Sequence, residues 1–189
     1  MTGWFEAAEA YGSWLHRNAD AEQAKSTGGM LAIYPTQECA AQLVIPGGEP
    51  IEDLHLTLLY FGQDVTGFPG ADQDLARAAS SVVNQFGTIE ANVFGHAIFN
   101  PNDQVNFREP CAVYLVGNSP DFAQLHTFLE QEVGQVWDLS EQHRPWIPHI
   151  TAGYSRGTDE LFYSGPIQFD RIGLEWAGNT TTFPLTPQE

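Results

Sequence analysis

The chain has 189 residues, 42% of them hydrophobic and 12% aromatic, enough for one domain or two closely packed lobes. Its 24 acidic residues against 7 Lys and Arg give a formal charge of −17, which repels a long polyanion, whereas a small phosphorylated ligand feels mainly the local field of a cleft. No stretch approaches the roughly 20 apolar residues of a membrane span, no signal-peptide pattern opens the chain, and Cys39 and Cys111 suit neither a disulfide framework nor a zinc cluster; the expectation is a protein of the reducing cytoplasm, with no membrane partner.

Residues 4–25 place Trp4, Phe5, Ala7, Tyr11, Trp14 and Leu15 at helix-like intervals, and a Gly-Gly pair then closes a predicted helical extension over 1–29. From Met30 onward the chain reads as the main unit, 30–189. M-L-A-I-Y-P-T predicts a strand, 37–43 a short helix, and I-P-G-G-E-P at 45–50 a loop. D-L-H-L-T-L-L-Y-F-G at 53–62 reads as a buried strand that nevertheless carries a histidine and a threonine. Residues 72–86 open with acidic residues and close before Gly87, as an amphipathic helix does, and 88–99 alternate as a strand.

The second half answers the first. C-A-V-Y-L-V at 111–116 predicts a strand, and the segment from Ser119 to Val133 a helix, with Ser119 as N-cap and Pro120 in the first helical position. After a polar loop come P-H-I-T-A-G-Y at 148–154, a strand at 167–176, and an Asn/Thr-rich turn leading to Phe183. Strand, motif strand, helix and strand are matched by strand, helix, motif strand and strand, which predicts a bilobal α+β layout with loose internal symmetry.

Residues i and i+2 of a strand share a face, roughly 7 Å apart, so His55 projects with Thr57 and His149 with Thr151. Any one such pair reads as ordinary strand polarity. Recurrence is the informative feature: of 6 histidines, only these two have Thr at i+2, and both precede a tyrosine, Tyr60 or Tyr154. If the two strands lie side by side, the pocket gains two imidazoles and two hydroxyls. One imidazole, neutral, can take a proton from a nucleophile, the other can give one to a leaving oxygen, and the hydroxyls can hydrogen-bond nonbridging phosphate oxygens. His16, His96 and His126 lack this context; His143 lies near the second motif.

H-L-T at 55–57 and H-I-T at 149–151, half a chain apart, resemble the paired signatures of the two-histidine (2H) phosphoesterases. That superfamily includes RNA 2′,3′-cyclic phosphodiesterases, bacterial 2′-5′ RNA ligase-like proteins and viral enzymes that cleave signalling oligonucleotides. The resemblance spans about residues 30–189. It implies a bilobal α+β fold with two antiparallel sheets and flanking helices around a central cleft related by a pseudo-twofold axis. It also implies metal-independent cleavage of a phosphodiester without a cofactor, with His55 and His149 as the acid/base pair and Thr57 and Thr151 as phosphate binders. The expected substrate is a small nucleotide, a cyclic oligonucleotide signal or a 2′,3′-cyclic phosphate, since the acidic composition suits long RNA badly. Tyr60, Trp146 and Tyr154 are candidate base contacts, and Arg144 and Arg156, which bracket the second motif, are candidate phosphate contacts, with Arg108 a further cation. Two other classes stay open: a protein that sequesters nucleotides without cleaving them, and an assembly module that uses residues 1–29 as its contact.

Overall fold

Strand pairing decides where the two motifs meet. The computed structural model describes residues 26–101, 109–140, 142 and 144–186; the predicted helix over 4–25, His16, Arg108 and His143 lie outside the described residues. In chain order the elements are β1 (Gly29–Pro35), α1 (Gln37–Leu43), β2 (Leu56–Gly62), α2 (Ala71–Val83), β3 (Ile89–Phe99), β4 (Cys111–Gly117), α3 (Pro120–Val133), β5 (His149–Tyr154), β6 (Gly165–Trp176) and β7 (Asn179–Pro184). Single 3₁₀ turns at Ile51–Asp53 and Thr158–Glu160 precede β2 and follow β5.

All strand pairs are antiparallel, in the order β1-β2-β5-β4-β3-β6-β7, with β1 also paired to β6. The twelve-residue β6 explains that closure. Its first part, to Phe169, pairs with β3, and its second part, from Phe169 to Trp176, pairs with β1. The two sheets expected of the two lobes are thereby hydrogen-bonded into one seven-stranded sheet that folds back on itself. The internal symmetry is visible as β1-α1-β2 in one lobe and β4-α3-β5 in the other, each ending on a motif strand.

The core lies on the face opposite the motif polar groups. Leu31, Ile33, Leu56, Ile150, Ile172 and Leu174 are fully buried there, as are Leu75, Val82, Leu125 and Leu129 of α2 and α3. Each such side chain contributes about 1.5–3 kcal/mol through burial. Phe122 of α3 meets Phe169 of β6 edge to face with centroids 5.0 Å apart, tying α3 to the strand that joins the lobes.

Two local expectations need correction. Ser119 does occupy the N-cap of α3 with Pro120 beginning the helix, but its hydroxyl makes no capping hydrogen bond; the cap that forms is at α1, where the Thr36 hydroxyl accepts from the Cys39 amide at 3.3 Å. The Asn/Thr-rich stretch before Phe183 is not simply a turn: it is β7, paired to β6 from Trp176↔Asn179 to Arg171↔Pro184. Ala177 and Gly178, both at positive φ, make the two-residue hairpin turn whose twist suits antiparallel strands. Three consecutive threonines fit this exposed strand because β-branching favours extended backbone.

Candidate active site

His55 immediately precedes β2, and His149 is the first residue of β5. The two strands touch through a single register pair, Leu56↔Ile150. Both apolar side chains are fully buried, so the flanking residues project to the other face, and the antiparallel direction brings His55 toward Thr151 and Thr57 toward His149. The structure therefore brings the four motif residues together on one face, related by a local twofold.

The two imidazoles are held alike. His55 Nδ1–H donates to the Asp53 carbonyl at 2.6 Å, and His149 Nδ1–H donates to the Ile147 carbonyl at 2.7 Å. A carbonyl can only accept, so each neutral ring carries its proton on Nδ1 and is basic at Nε2. Burial lowers the pKa of His55, with the charge of His149 acting in the same direction; the Asp53 hydrogen bond and the charges of Glu175 and Asp53 oppose the shift without cancelling it. Each ring also leans on one aromatic side chain: Tyr34 lies 5.8 Å from His55 at 46°, and Phe99 lies 4.6 Å from His149 at 52°. Thr57 Oγ1 rests 3.8 Å from the Met30 sulfur, a weak acceptor that a phosphate oxygen outcompetes.

A shared irregularity sets the positions of the tyrosines. In β2 the pairing to β1 skips Leu58, and in β5 the pairing to β4 skips Ala152. Both bulged residues stand three positions after the motif histidine. A bulge turns a spacing of three into a same-face relation, so Tyr60 shares the face of Thr57, and Tyr154 that of Thr151. Tyr154 is half exposed, and partial burial, with Cys111, Glu49 and Glu109 adding to it, pushes the hydroxyl pKa up to about 12.

Beyond the Leu56↔Ile150 pair the strands diverge, and each bulged edge is satisfied by the opposite lobe. Trp146 donates its indole N–H to the Thr57 carbonyl at 3.1 Å, Gln142 brackets the Tyr60 backbone at 3.0 and 2.5 Å, and His126 of α3 hydrogen-bonds the Leu58 backbone. In return the Glu49 amide donates to the Ala152 carbonyl at 2.8 Å. The loop carrying Glu49 is pinned by Arg156, which donates to the Gly47 carbonyl at 2.9 Å and pairs with Glu160 at 3.5 Å. Gly48 and Gly153 pack backbone to backbone at that junction, where a Cβ on Gly153 comes within 3.0 Å of the Gly48 Cα.

The remaining sequence candidates are placed less centrally. Trp146 stacks on His126 with centroids 3.9 Å apart and planes 12° from parallel, so one face of its indole is covered. Arg144 is largely exposed and ion-paired to Glu130 of α3 at 2.7 Å. It borders a depression of about 450 Å³ between α3 and the following loop, a hollow lined by none of the four motif residues. Among the described residues, no group of three or more His, Cys, Asp or Glu converges as metal ligands, and no helix is long and apolar enough to cross a membrane.

Sequence reasoning missed a polar cluster beside His55. Tyr34 of β1 pairs in register with Arg171 of β6, and Met30 with Glu175, so Tyr34, Arg171 and Glu175 share the motif face. The Tyr34 hydroxyl donates to Glu175 Oε1 at 2.7 Å, Thr180 of β7 donates to Oε2 at 2.6 Å, and the Arg171 guanidinium lies 5.1 Å over the Tyr34 ring. The signal was present in D-R-I-G-L-E-W, where Arg171, Gly173 and Glu175 alternate with Ile172, Leu174 and Trp176.

The family model of the 2′-5′ RNA ligase superfamily matches residues 46–171, a span that includes both motifs. Among solved structures, Escherichia coli LigT complexed with 3′-AMP is 17% identical, covering 85% of this chain and 95% of that one at a TM-score of 0.56. TT0787 of Thermus thermophilus is 19% identical, covering 86% and 100% at a TM-score of 0.58. E. coli LigT complexed with NADP⁺ is 18% identical at a TM-score of 0.52, covering 85% and 95%. At these identities the likeness establishes the fold. No curated protein sequence matches the chain.

Proposed function

The chain belongs to the 2′-5′ RNA ligase superfamily of two-histidine phosphoesterases, and on that premise we propose that it is a metal-independent phosphodiesterase acting on a small nucleotide, a 2′,3′-cyclic phosphate or a cyclic oligonucleotide. The observation that carries the reading is the matched pair of imidazoles, each fixed by Nδ1–H to the carbonyl two residues before it and set on one face by the Leu56↔Ile150 register. That arrangement suits an acid and a base acting on opposite sides of one phosphorus.

His55, whose burial favours the neutral ring, is the base, and His149 is the acid. With a 2′,3′-cyclic phosphate, His55 Nε2 takes a proton from water as the water oxygen bonds to phosphorus. The bond from phosphorus to one ribose oxygen breaks, and His149 protonates that oxygen. The product is a phosphomonoester, and a proton returned from His55 to solvent and one regained by His149 restore the site. With a 3′-5′ linkage the ribose 2′-hydroxyl takes the place of water and the 5′-oxygen leaves. Thr57 and Thr151 hydrogen-bond the nonbridging oxygens in both cases.

Small ligands fit the formal charge of −17 better than polymers do. The 3′-AMP and NADP⁺ held by E. coli LigT are ligands of that size. Tyr60 and Tyr154, on the motif face, are the base or ribose contacts, and Arg156, at the end of β5, lends the cation; Arg144, paired to Glu130, adds a more distant field. Trp146 serves by holding Thr57 in place. The free thiols Cys39 and Cys111 suit a reducing cytoplasm.

The test is incubation of the protein in EDTA with a panel of 2′,3′-cyclic mononucleotides and cyclic di- and trinucleotides, read by mass spectrometry. Cleavage of at least one member supports the proposal. Retention of an intact nucleotide without cleavage assigns a sequestering protein instead.

A further inference from the structure

The local twofold that relates the two motifs stops at their second neighbours. Phe99, the ring against His149, is apolar. Tyr34, the ring against His55, is joined through its hydroxyl to Glu175, which also receives the Thr180 hydroxyl. The residue just before β2 and the strands β1 and β6 thus present an imidazole, a phenol and a carboxylate in series.

We propose that Glu175 is a positioning residue for His55: through Tyr34 it braces the imidazole, and its negative charge offsets the positive charge that His55 acquires on taking a proton. The proposal rests on the phosphodiesterase reading and adds to it the group that makes His55 different from His149.

Geometry supplies the bracing. Gly173 stands between Arg171 and Glu175 on the motif face of β6, and the Tyr34 ring lies over it so closely that a Cβ there comes within 2.8 Å of the ring. The phenol therefore lies along β6, its hydroxyl on Glu175 and its ring between Arg171 and His55. Any side chain at Gly173 displaces it.

Charge supplies the rest. The groups that act on His55 are Asp53 on the turn before β2, Tyr34 on β1, Glu175 on β6 and His149 on β5. Arg171, the cation of the cluster, contacts the Asp170 carboxylate at 2.9 Å and the face of Tyr34, so much of its charge is offset locally. Both Glu175 oxygens receive neutral hydroxyls, which orient the carboxylate without neutralising it. Glu175 raises the proton affinity of His55 against the burial that lowers it. The balance leaves a base that is neutral at rest yet able to hold a proton during the displacement.

The experiment follows the ring protons of His55 and His149 by NMR titration in the parent, Glu175→Gln and Glu175→Asp, and repeats the pH–rate profile with 2′,3′-cyclic AMP. The expected result in Glu175→Gln is a His55 midpoint lower by about half a pH unit or more with His149 little changed. Glu175→Asp restores most of the difference because it restores the charge. The acidic limb of kcat/KM should move to lower pH and the plateau should fall, since a weaker base takes the proton less well. Should the amide variant not fold, Glu175→Ala gives the same titration. An unchanged His55 midpoint in a folded Glu175 variant overturns the proposal. If the parent cleaves no nucleotide, the functional reading fails while the titration still decides the role of Glu175.

Discussion

Leu56 and Ile150 form the only register pair between β2 and β5, and both side chains are fully buried. Placing these two apolar residues in the core aims His55, Thr57, His149 and Thr151 at the same outer face. Core packing and site geometry are thus one constraint. Leu56→Ala or Ile150→Ala should cost about 2–5 kcal/mol by opening a cavity and should lower kcat in the fraction that remains folded. Thermal melts paired with turnover per folded molecule check this; full turnover per folded molecule would show that the site does not depend on the pair.

The threonines are expected to matter less than the histidines. Thr57→Val and Thr151→Val keep the β-branched shape and remove one hydrogen bond to phosphate, so each should lose about tenfold in kcat/KM, near the lower bound for a single lost donor. Steady-state kinetics of the two variants suffice. Losses matching those of the histidine variants would mean that the hydroxyls do more than bind.

The seam between the lobes makes a separate prediction. Trp146→Phe retains a ring to stack on His126 but strands the Thr57 carbonyl, and Gln142→Ala releases the Tyr60 backbone. Each should cost about 1–3 kcal/mol of stability and lower kcat more than it raises KM, because the two half-sites lose their fixed spacing. A rise in KM alone would instead assign Trp146 to ligand stacking.

Stability should fall as the solution is acidified. His55 and His126 both have pKa values lowered from 6.5, chiefly by burial. The unfolded chain then binds protons more readily than the folded one, so stability is fully present above about pH 6.5 and is lost as pH falls toward the folded-state values. Melting temperatures between pH 5 and 8 test the sign, and His126→Asn should flatten the slope. A protein equally stable at pH 5.5 and pH 7.5 contradicts this.

Arg156 and Arg144 should separate in their effects. Arg156 holds the loop that caps β5, so Arg156→Ala should raise KM for a phosphorylated ligand several-fold and loosen that loop. Arg144 is largely exposed and paired to Glu130, a surface arrangement worth about 1 kcal/mol or less, so Arg144→Ala should change KM little. Isothermal titration with 3′-AMP ranks the two.

The recurring H-x-T pairs were legible because two hydrogen-bonding side chains on one face of an apolar strand are unusual, and their repetition half a chain apart is more so. The lobes and most elements followed from periodicity. β7 was not legible, since Asn179 to Thr182 carry the composition of a turn and their strand character comes from pairing with β6. The bulges at Leu58 and Ala152 left no mark either, because an apolar residue in the skipped position looks like its neighbours. Tyr34 and Glu175 are 141 positions apart, and only the β1–β6 register brings them together beside His55.

The most direct measurement is turnover of the cleaved nucleotide by His55→Ala and His149→Ala, with circular dichroism confirming the fold. The account predicts that each loses on the order of 10²–10⁴-fold. It also predicts that the double variant loses far less than the product of the two, since acid and base act as a unit. Folded single variants that cleave at near-parental rates would contradict it and leave both histidines as ordinary residues of their strands.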